Sequence, residues 1–413
     1  AMMLLRARSL AMGFSGARPL VAQAIVDLLN AGITPVVREH GSLGASGDLA
    51  PLAAAALPLI GEGSVRNADG TLEDALSAIR NAGLEPIELR AKEGLALING
   101  TDGMLGMLVL ALEDLGQLAK VSDIAGAMTT EALLGTDRAF AHDLIAMRPQ
   151  VGQAESADNL RSLLNESPVI ASHRHGDDRV QDPYSIRCTP QVHGAVRDAA
   201  SYAAAITDRE LVSFIDNPVV LPDGRVESCG NFHGAPLAHA ADFLAIAVGD
   251  LGALCERRTD RMLDPKRSYG LPPFLTEDAG VNSGYMIAHY TQAAMVAENR
   301  RLAAPASVDT IPTSAMQEDH VSMGWAACRK LRLALDNLRR ILAIEIVCAT
   351  RAFEFRAPLA PAKPTGSVAQ RVHEIIGESG QDVWLSPLLE RVAGEIRSGH
   401  IVAAAESESG VLL

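Results

Sequence analysis

The 413-residue sequence holds only five cysteines, Cys188, Cys229, Cys255, Cys328 and Cys348, and no Cys-x-x-Cys pair. So few and so scattered, they exclude a disulfide framework and a zinc ribbon and suit a reducing compartment, the cytoplasm. Basic residues are in deficit: 36 Lys and Arg against 50 Asp and Glu leave a net charge of −14. That balance argues against binding nucleic acid or an anionic membrane. No internal repeat or low-complexity tract is visible, which excludes a solenoid. Long apolar runs are missing too. "MLGMLVLAL", Met104 to Leu112, stops at Glu113, short of the roughly 20 residues a bilayer requires. The apolar stretch 49–61 contains Pro51 and Pro58. No basic segment precedes an apolar run, as a signal peptide would need. The first residues, "AMMLLRARSLAMGFSG", read as helix with no capping residue ahead, as though the chain began inside a helix.

What is present is helix. Residues 325–357 contain neither Gly nor Pro, and Leu331, Leu335, Leu338, Leu342 and Ile346 recur at steps of four, three, four and four. These positions form one apolar face. At 1.5 Å per residue the helix would be about 50 Å long, a length that suits a bundle of long helices and offers an assembly surface. Further helices are expected over 102–134, with a break near Gly116 or Gly126, and over 235–257 and 283–303. Strand signals are sparse; 217–228 reads as a hairpin around Pro222-Asp223-Gly224. Residues 358–367 look like a linker, followed by two shorter helices ending near Ala405. The expected fold is mainly α, a long-helix bundle with minor β hairpins. Its core would be 1–357, with 358–413 a C-terminal helical segment packed on it.

One loop raises a chemical question. "HGSLGASGDLAPLA", His40 to Ala53, places Ala45-Ser46-Gly47 directly ahead of a helical run. A turn followed by a helix capped by Asp48 or Ser46 is the plain interpretation. A phosphate cradle would need a terminal Gly-Lys-Ser/Thr and a preceding strand. A nucleophile elbow, Gly-x-Ser-x-Gly, fails because Asp48 stands where the last glycine belongs; "GFSGA", 13–17, fails in the same way. A fourth chemistry uses the tripeptide itself. In a tight bend the Gly47 amide nitrogen attacks the Ala45 carbonyl carbon. Loss of two waters, one from the Ser46 side chain, leaves a methylidene-imidazolone ring (MIO). Only small residues let the backbone double back so far, and a helix N-terminus beside the ring would sharpen its electrophilicity.

"GSLGASGDLAPLA" closely resembles the signature of the aromatic amino acid ammonia-lyases and aminomutases, in which Ala-Ser-Gly cyclises to MIO. "EGLALINGTDGML", "VQDPYSIRCTPQVHG", "DNPVV", "GNFHGAP" and "PTSAMQEDHVSMG" follow in the family's order, from about Met12 to about Ala357. The chain is most similar to the family's bacterial, histidine-specific members. The resemblance implies the aromatic amino acid lyase fold, of the fumarase/aspartase-like type. It implies MIO as the cofactor, with no metal or nucleotide. The implied reaction converts L-histidine to trans-urocanate and ammonia, in a homotetramer whose sites are shared between chains. Other members act on phenylalanine or tyrosine or are aminomutases, and a catalytically silent helical scaffold would retain the same core. The family also uses a tyrosine base and a substrate-contacting histidine from a mobile N-terminal loop. Both would precede Ala1, so neither is assigned here, and weak activity or none is expected of the chain as it stands.

The remaining site residues carry two readings each. Asn99, in "LINGT", has the position of a turn or N-cap asparagine; the resemblance implies that it bonds near the MIO and the substrate amine. Gln181, Tyr184 and Arg187 recur at steps of three, so on a helical turn they would share a face. A solvated face and an amino-acid site fit that spacing equally. Arg187 could clamp a carboxylate with two bonds, and Tyr184 could donate or move a proton. Phe232 is one of eight phenylalanines, a type most often found in cores; its match packs beside the MIO and the substrate ring. Glu318, in "QEDH", fits a solvated run or a cap, and matches the acid that histidine-specific members set against the imidazole. "HRHGDD", 173–178, holds two His and two Asp, but without a helical His pair or a cysteine it reads as a polar surface loop, not a metal site.

Overall fold

The computed structural model describes residues 1–377 and 381–413. It divides into two compact units. The first comprises 1–111, 202–243 and 305–332, and the second 112–201, 244–304 and 333–413.

In the first unit the helices Met2–Ala11 and Pro19–Asn30 pack against each other. The N-terminal helix has no side-chain cap. Pro19 sits in the first turn of its helix, where a missing N–H costs nothing. Val21, Ile25 and Leu28 turn one face inward to join Ile33, Leu59, Val65, Ile79 and Leu97 in a closed core. Three strands, Thr34–Pro35, Ser64–Arg66 and Leu72–Asp74, form an antiparallel sheet in chain order, with Val65 opposite both Pro35 and Glu73. This sheet has no signal in the sequence, because strands of two or three residues are too short for alternation to register. The expected hairpin is present, as Val219–Val220 paired with Val226–Glu227. Pro51 falls in the first turn of the helix Leu49–Ala56, and the chain tightens to 3₁₀ over Leu57–Ile60, with Pro58 near its start.

The second unit has no strand among its described residues. The helix Asp102–Ala132 runs unbroken through Gly116 and Gly126, against the expected break. At Gly126 a Cβ would lie 3.2 Å from Thr189 Cγ2, so close packing offsets the roughly 1 kcal/mol that glycine costs a helix. The expected helices at 235–257 and 283–303 are found as Ala235–Leu263 and Met286–Leu302. The 325–357 helix is found as Gly324–Phe355, and its predicted stripe, Leu331 to Ile346, is buried inside the chain. From Ile341 to Phe353 every residue is buried. That face is spent on the chain's own core. The linker is shorter than expected. A helix starts at Lys363 with Pro364 in its first turn, and three helices follow residue 357, not two: Lys363–Ile376, Leu385–Arg397 and His400–Ser409. Buried Glu131 anchors this segment by accepting the Ala362 N–H at 2.7 Å and the Thr365 hydroxyl at 2.5 Å.

Two helical stretches, Glu93–Ala132 and Ala235–Leu263, are long and apolar enough to cross a membrane. Most of each apolar window, 67% and 61%, is buried inside the protein, as in the core helices of a folded domain. The uncharged run that ends at Glu113 is too short to reveal the first of these stretches.

Candidate active site

The Ala45-Ser46-Gly47 segment is a tight reversal. Ser46 and Gly47 both have left-handed backbone angles, φ +54° and +82°. A non-glycine residue rarely adopts that conformation unless its surroundings impose it. Gly44 and Gly47 bridge across the turn, the Gly47 N–H pointing to Gly44 O at 3.4 Å. The turn is pressed onto the Asn99-Gly100 backbone: Asp48 N–H donates to Gly100 O at 2.7 Å. A Cβ on residue 47 would lie 2.2 Å from that same oxygen. Asp48 stands at the N-cap position of the helix Leu49–Ala56, but its side chain makes no capping bond. Instead it accepts the Ser42 hydroxyl at 3.0 Å and the Met104 N–H at 2.9 Å. Burial pushes the Asp48 carboxyl up to about 7.

Ser46 Oγ donates to Asn99 Oδ1 at 2.6 Å. Asn99 is itself buried, and its Nδ2 donates to Asn217 O at 2.6 Å and faces Asp216 Oδ1 at 3.4 Å. Asp216 is fully buried and pairs with Lys92 Nζ at 2.6 Å. Sequence reasoning picked out Asn99 but missed Lys92, Asp216 and Gly100. Asp216 opens the "DNPVV" motif and Gly100 follows Asn99, so both lay inside segments already singled out. Nothing in the sequence pairs Lys92 with a residue 124 positions away.

Phe232 is half-buried in the loop before the helix Ala235–Leu263. Its neighbour His233 donates from Nε2 to His320 O at 3.2 Å, since a carbonyl only accepts. The His233 and His320 rings stack, 5.9 Å apart and 2° from parallel. The "GNFHG" and "QEDH" motifs therefore meet. Glu318 is half-buried, and its Oε2 accepts hydroxyls from Thr313 at 2.9 Å and Ser314 at 2.7 Å. No bond to Oε1 is found among the described residues.

The second unit carries the other three candidates. Only Tyr184 and Arg187 share a helical turn, Tyr184–Arg187. Gln181 is exposed and lies ahead of it, because Pro183 occupies the cap position and starts the helix there. The Arg187 guanidinium carbon lies 4.5 Å from the Tyr184 ring centre, and its Nε donates to Asp182 O at 2.9 Å. The "HRHGDD" segment is largely exposed. Its Asp177 binds the Arg179 side chain, which holds the Asp177 carboxyl down at about 2.

The fold is mainly helical, and its left-handed Ala-Ser-Gly turn is tied to an asparagine. The family model for aromatic amino acid lyases matches residues 1–376, and the chain belongs to that family. It is 58% identical to the histidine ammonia-lyase of Streptomyces coelicolor over 413 residues, 100% of this chain and 81% of that protein. Among solved structures, the histidine ammonia-lyase from Trypanosoma cruzi superposes with a TM-score of 0.91 at 39% identity, covering 98% of this chain and 78% of that one. The tyrosine aminomutase from Streptomyces globisporus gives 0.92 at 36% identity, covering 100% and 82%.

Proposed function

We propose that the chain is a histidine ammonia-lyase that releases ammonia from L-histidine and forms trans-urocanate, with Ala45-Ser46-Gly47 cyclised to MIO. The observation that carries the substrate is the identity of 58% to a histidine ammonia-lyase along the whole chain. The tripeptide fits the cofactor. Its turn is left-handed at Ser46 and Gly47, residue 47 has no room for a Cβ, and the Ser46 side chain is held in place by Asn99 Oδ1. MIO, once formed, supplies an electrophile that makes the substrate amine a competent leaving group.

The chain's own residues bind and orient. Asn99 holds the reacting turn and the amine side of the site. Arg187 takes the substrate carboxylate: its Nε is used by Asp182 O, and its Nη groups have no partner among the described residues. Glu318 Oε1 accepts the imidazole N–H. Phe232 packs on the ring, Gln181 bonds the polar end of the substrate, and Tyr184 donates or moves a proton. The difficult step is removal of a weakly acidic β-proton, which requires base, proton and electrophile held in line. The protein works in the cytoplasm as a homotetramer whose sites combine residues from several chains.

The test is product formation from L-histidine, L-phenylalanine and L-tyrosine, with the intact mass measured on the same preparation. Urocanate from histidine, together with a mass lower than the encoded one by two waters, is the expected result. Cinnamate or coumarate as the main product, or β-amino acids, would reassign the substrate or the reaction within the family.

A further inference from the structure

Three consecutive residues that carry side chains, Ser314, Ala315 and Met316, have left-handed backbone angles, φ +51°, +54° and +71°. Each such angle costs an L-residue free energy, and a run of them persists only where its surroundings impose it. Here the flanks close the run. Thr313 N–H donates to Glu318 O at 3.0 Å, and Glu318 N–H donates back to Thr313 O at 3.3 Å. Within the turn Met316 N–H reaches Thr313 O and Gln317 N–H reaches Ser314 O, each at 3.1 Å. These bonds fix the backbone of Glu318 and leave its carboxylate free to turn. The carboxylate is held by two hydroxyls, Thr313 Oγ1 at 2.9 Å and Ser314 Oγ at 2.7 Å, and both donate to Oε2. A carboxylate oxygen offers a pair of acceptor sites, so Oε2 is filled and Oε1 is the oxygen left to a ligand.

We propose that Thr313 and Ser314 are positioning residues whose hydroxyls hold the Glu318 carboxylate by Oε2, so that Oε1 meets the imidazole N–H of the substrate. This rests on the reading of Glu318 as the imidazole acceptor. The left-handed turn is the device that brings both hydroxyls to one oxygen. No other group among the described residues bonds this carboxylate. Without the hydroxyls it turns among its rotamers, and an imidazole has to order it on binding, which weakens the complex. A phenyl ring offers no N–H to Oε1, so the loss falls on imidazole ligands alone.

The experiment measures binding by titration calorimetry with trans-urocanate, which carries the imidazole, and trans-cinnamate, which carries a phenyl ring in its place. Thr313→Val/Ser314→Ala removes both hydroxyls and keeps a Cβ at each position. It is expected to raise the Kd for urocanate roughly tenfold and to leave the Kd for cinnamate unchanged. Thr313→Ser, which retains its hydroxyl, should bind urocanate as the parent does. In a Glu318→Ala background, loss of the two hydroxyls should add nothing, because no carboxylate remains to be held. If the double variant does not fold, Thr313→Val/Ser314→Gly replaces it, since glycine adopts the left-handed angle freely and also lacks the hydroxyl. Crystal structures of the parent and the double variant give the second readout: the carboxylate should leave its parental position. Parental urocanate binding without the hydroxyls, or a further loss in the Glu318→Ala background, would overturn the proposal. So would equal weakening of both ligands, the result expected of a turn that serves folding alone. A Glu318→Ala protein that binds urocanate as tightly as the parent would refute the imidazole reading, and the crystal structures would then decide whether the hydroxyls hold the carboxylate.

Discussion

Asp48 Oδ2 accepts the backbone N–H of Met104 at 2.9 Å, which ties the residue after the Ala-Ser-Gly turn to the first turn of the 102–132 helix. The bond lies in a site that water does not reach, since Asp48 is fully buried.

Burial raises the Asp48 carboxyl from the ordinary 3.8 to about 7. The native state then keeps a proton that the unfolded chain has already released, so stability falls as pH rises from about 4 to about 7. Over that window the loss amounts to about 4 kcal/mol. Asp48→Asn keeps an acceptor for Met104 and cannot ionise. Denaturant unfolding at pH 4.5 and 7.5 should show the variant gaining on the parent at the higher pH. Parallel pH slopes would show that Asp48 titrates alike in the folded and unfolded chains.

Ser46→Ala removes the hydroxyl that must leave as water. The variant should fold, show the full encoded mass with no two-water deficit, and form no urocanate. Mass spectrometry and a product assay on one sample check this, and a variant that stays active would end the cyclisation mechanism.

Glu318→Gln keeps the shape of the side chain and the hydroxyl contacts to Thr313 and Ser314, but replaces a charged acceptor with a neutral amide. A hydrogen bond to a charged group is worth about 1.5–3 kcal/mol, so histidine turnover should fall roughly tenfold or more. Any residual phenylalanine turnover has no N–H to lose and should change little. Equal losses on both substrates would remove Glu318 from substrate recognition.

Arg187→Lys retains charge but loses the planar fork and its stacking on Tyr184. The KM for histidine should rise by about tenfold or more, with the two-water mass deficit intact. An unchanged KM would make Arg187 a structural partner of Tyr184 and Asp182.

Much of this molecule is legible in its sequence because its long helices repeat apolar residues over many turns. The stripe from Leu331 to Ile346 predicts a buried face, and the structure buries it. The sequence does not tell that the C-terminal half of that helix is enclosed on every side, because small residues such as Ala343, Ala349 and Ala352 carry no periodic signal. The three-stranded sheet escaped notice for lack of length. In the site, Ser46 and Asn99 stand out because their chemistry is local to recognisable segments. Lys92 with Asp216 and Asp48 with Met104 are long-range pairings, invisible until the chain is folded. Gln181 has the spacing of a residue on the same turn as Tyr184, but Pro183 between them marks where that turn begins.

Gly47 and Gly100 interlock: a Cβ at 47 would strike Gly100 O at 2.2 Å, and one at 100 would lie 2.2 Å from Arg6 Nη1. The two positions therefore form a filter for genome mining. A sequence that carries the tripeptide but a bulkier residue at the place of Gly100 should be set aside as a source of biocatalysts. Libraries meant to reshape the electrophile have no freedom at position 47.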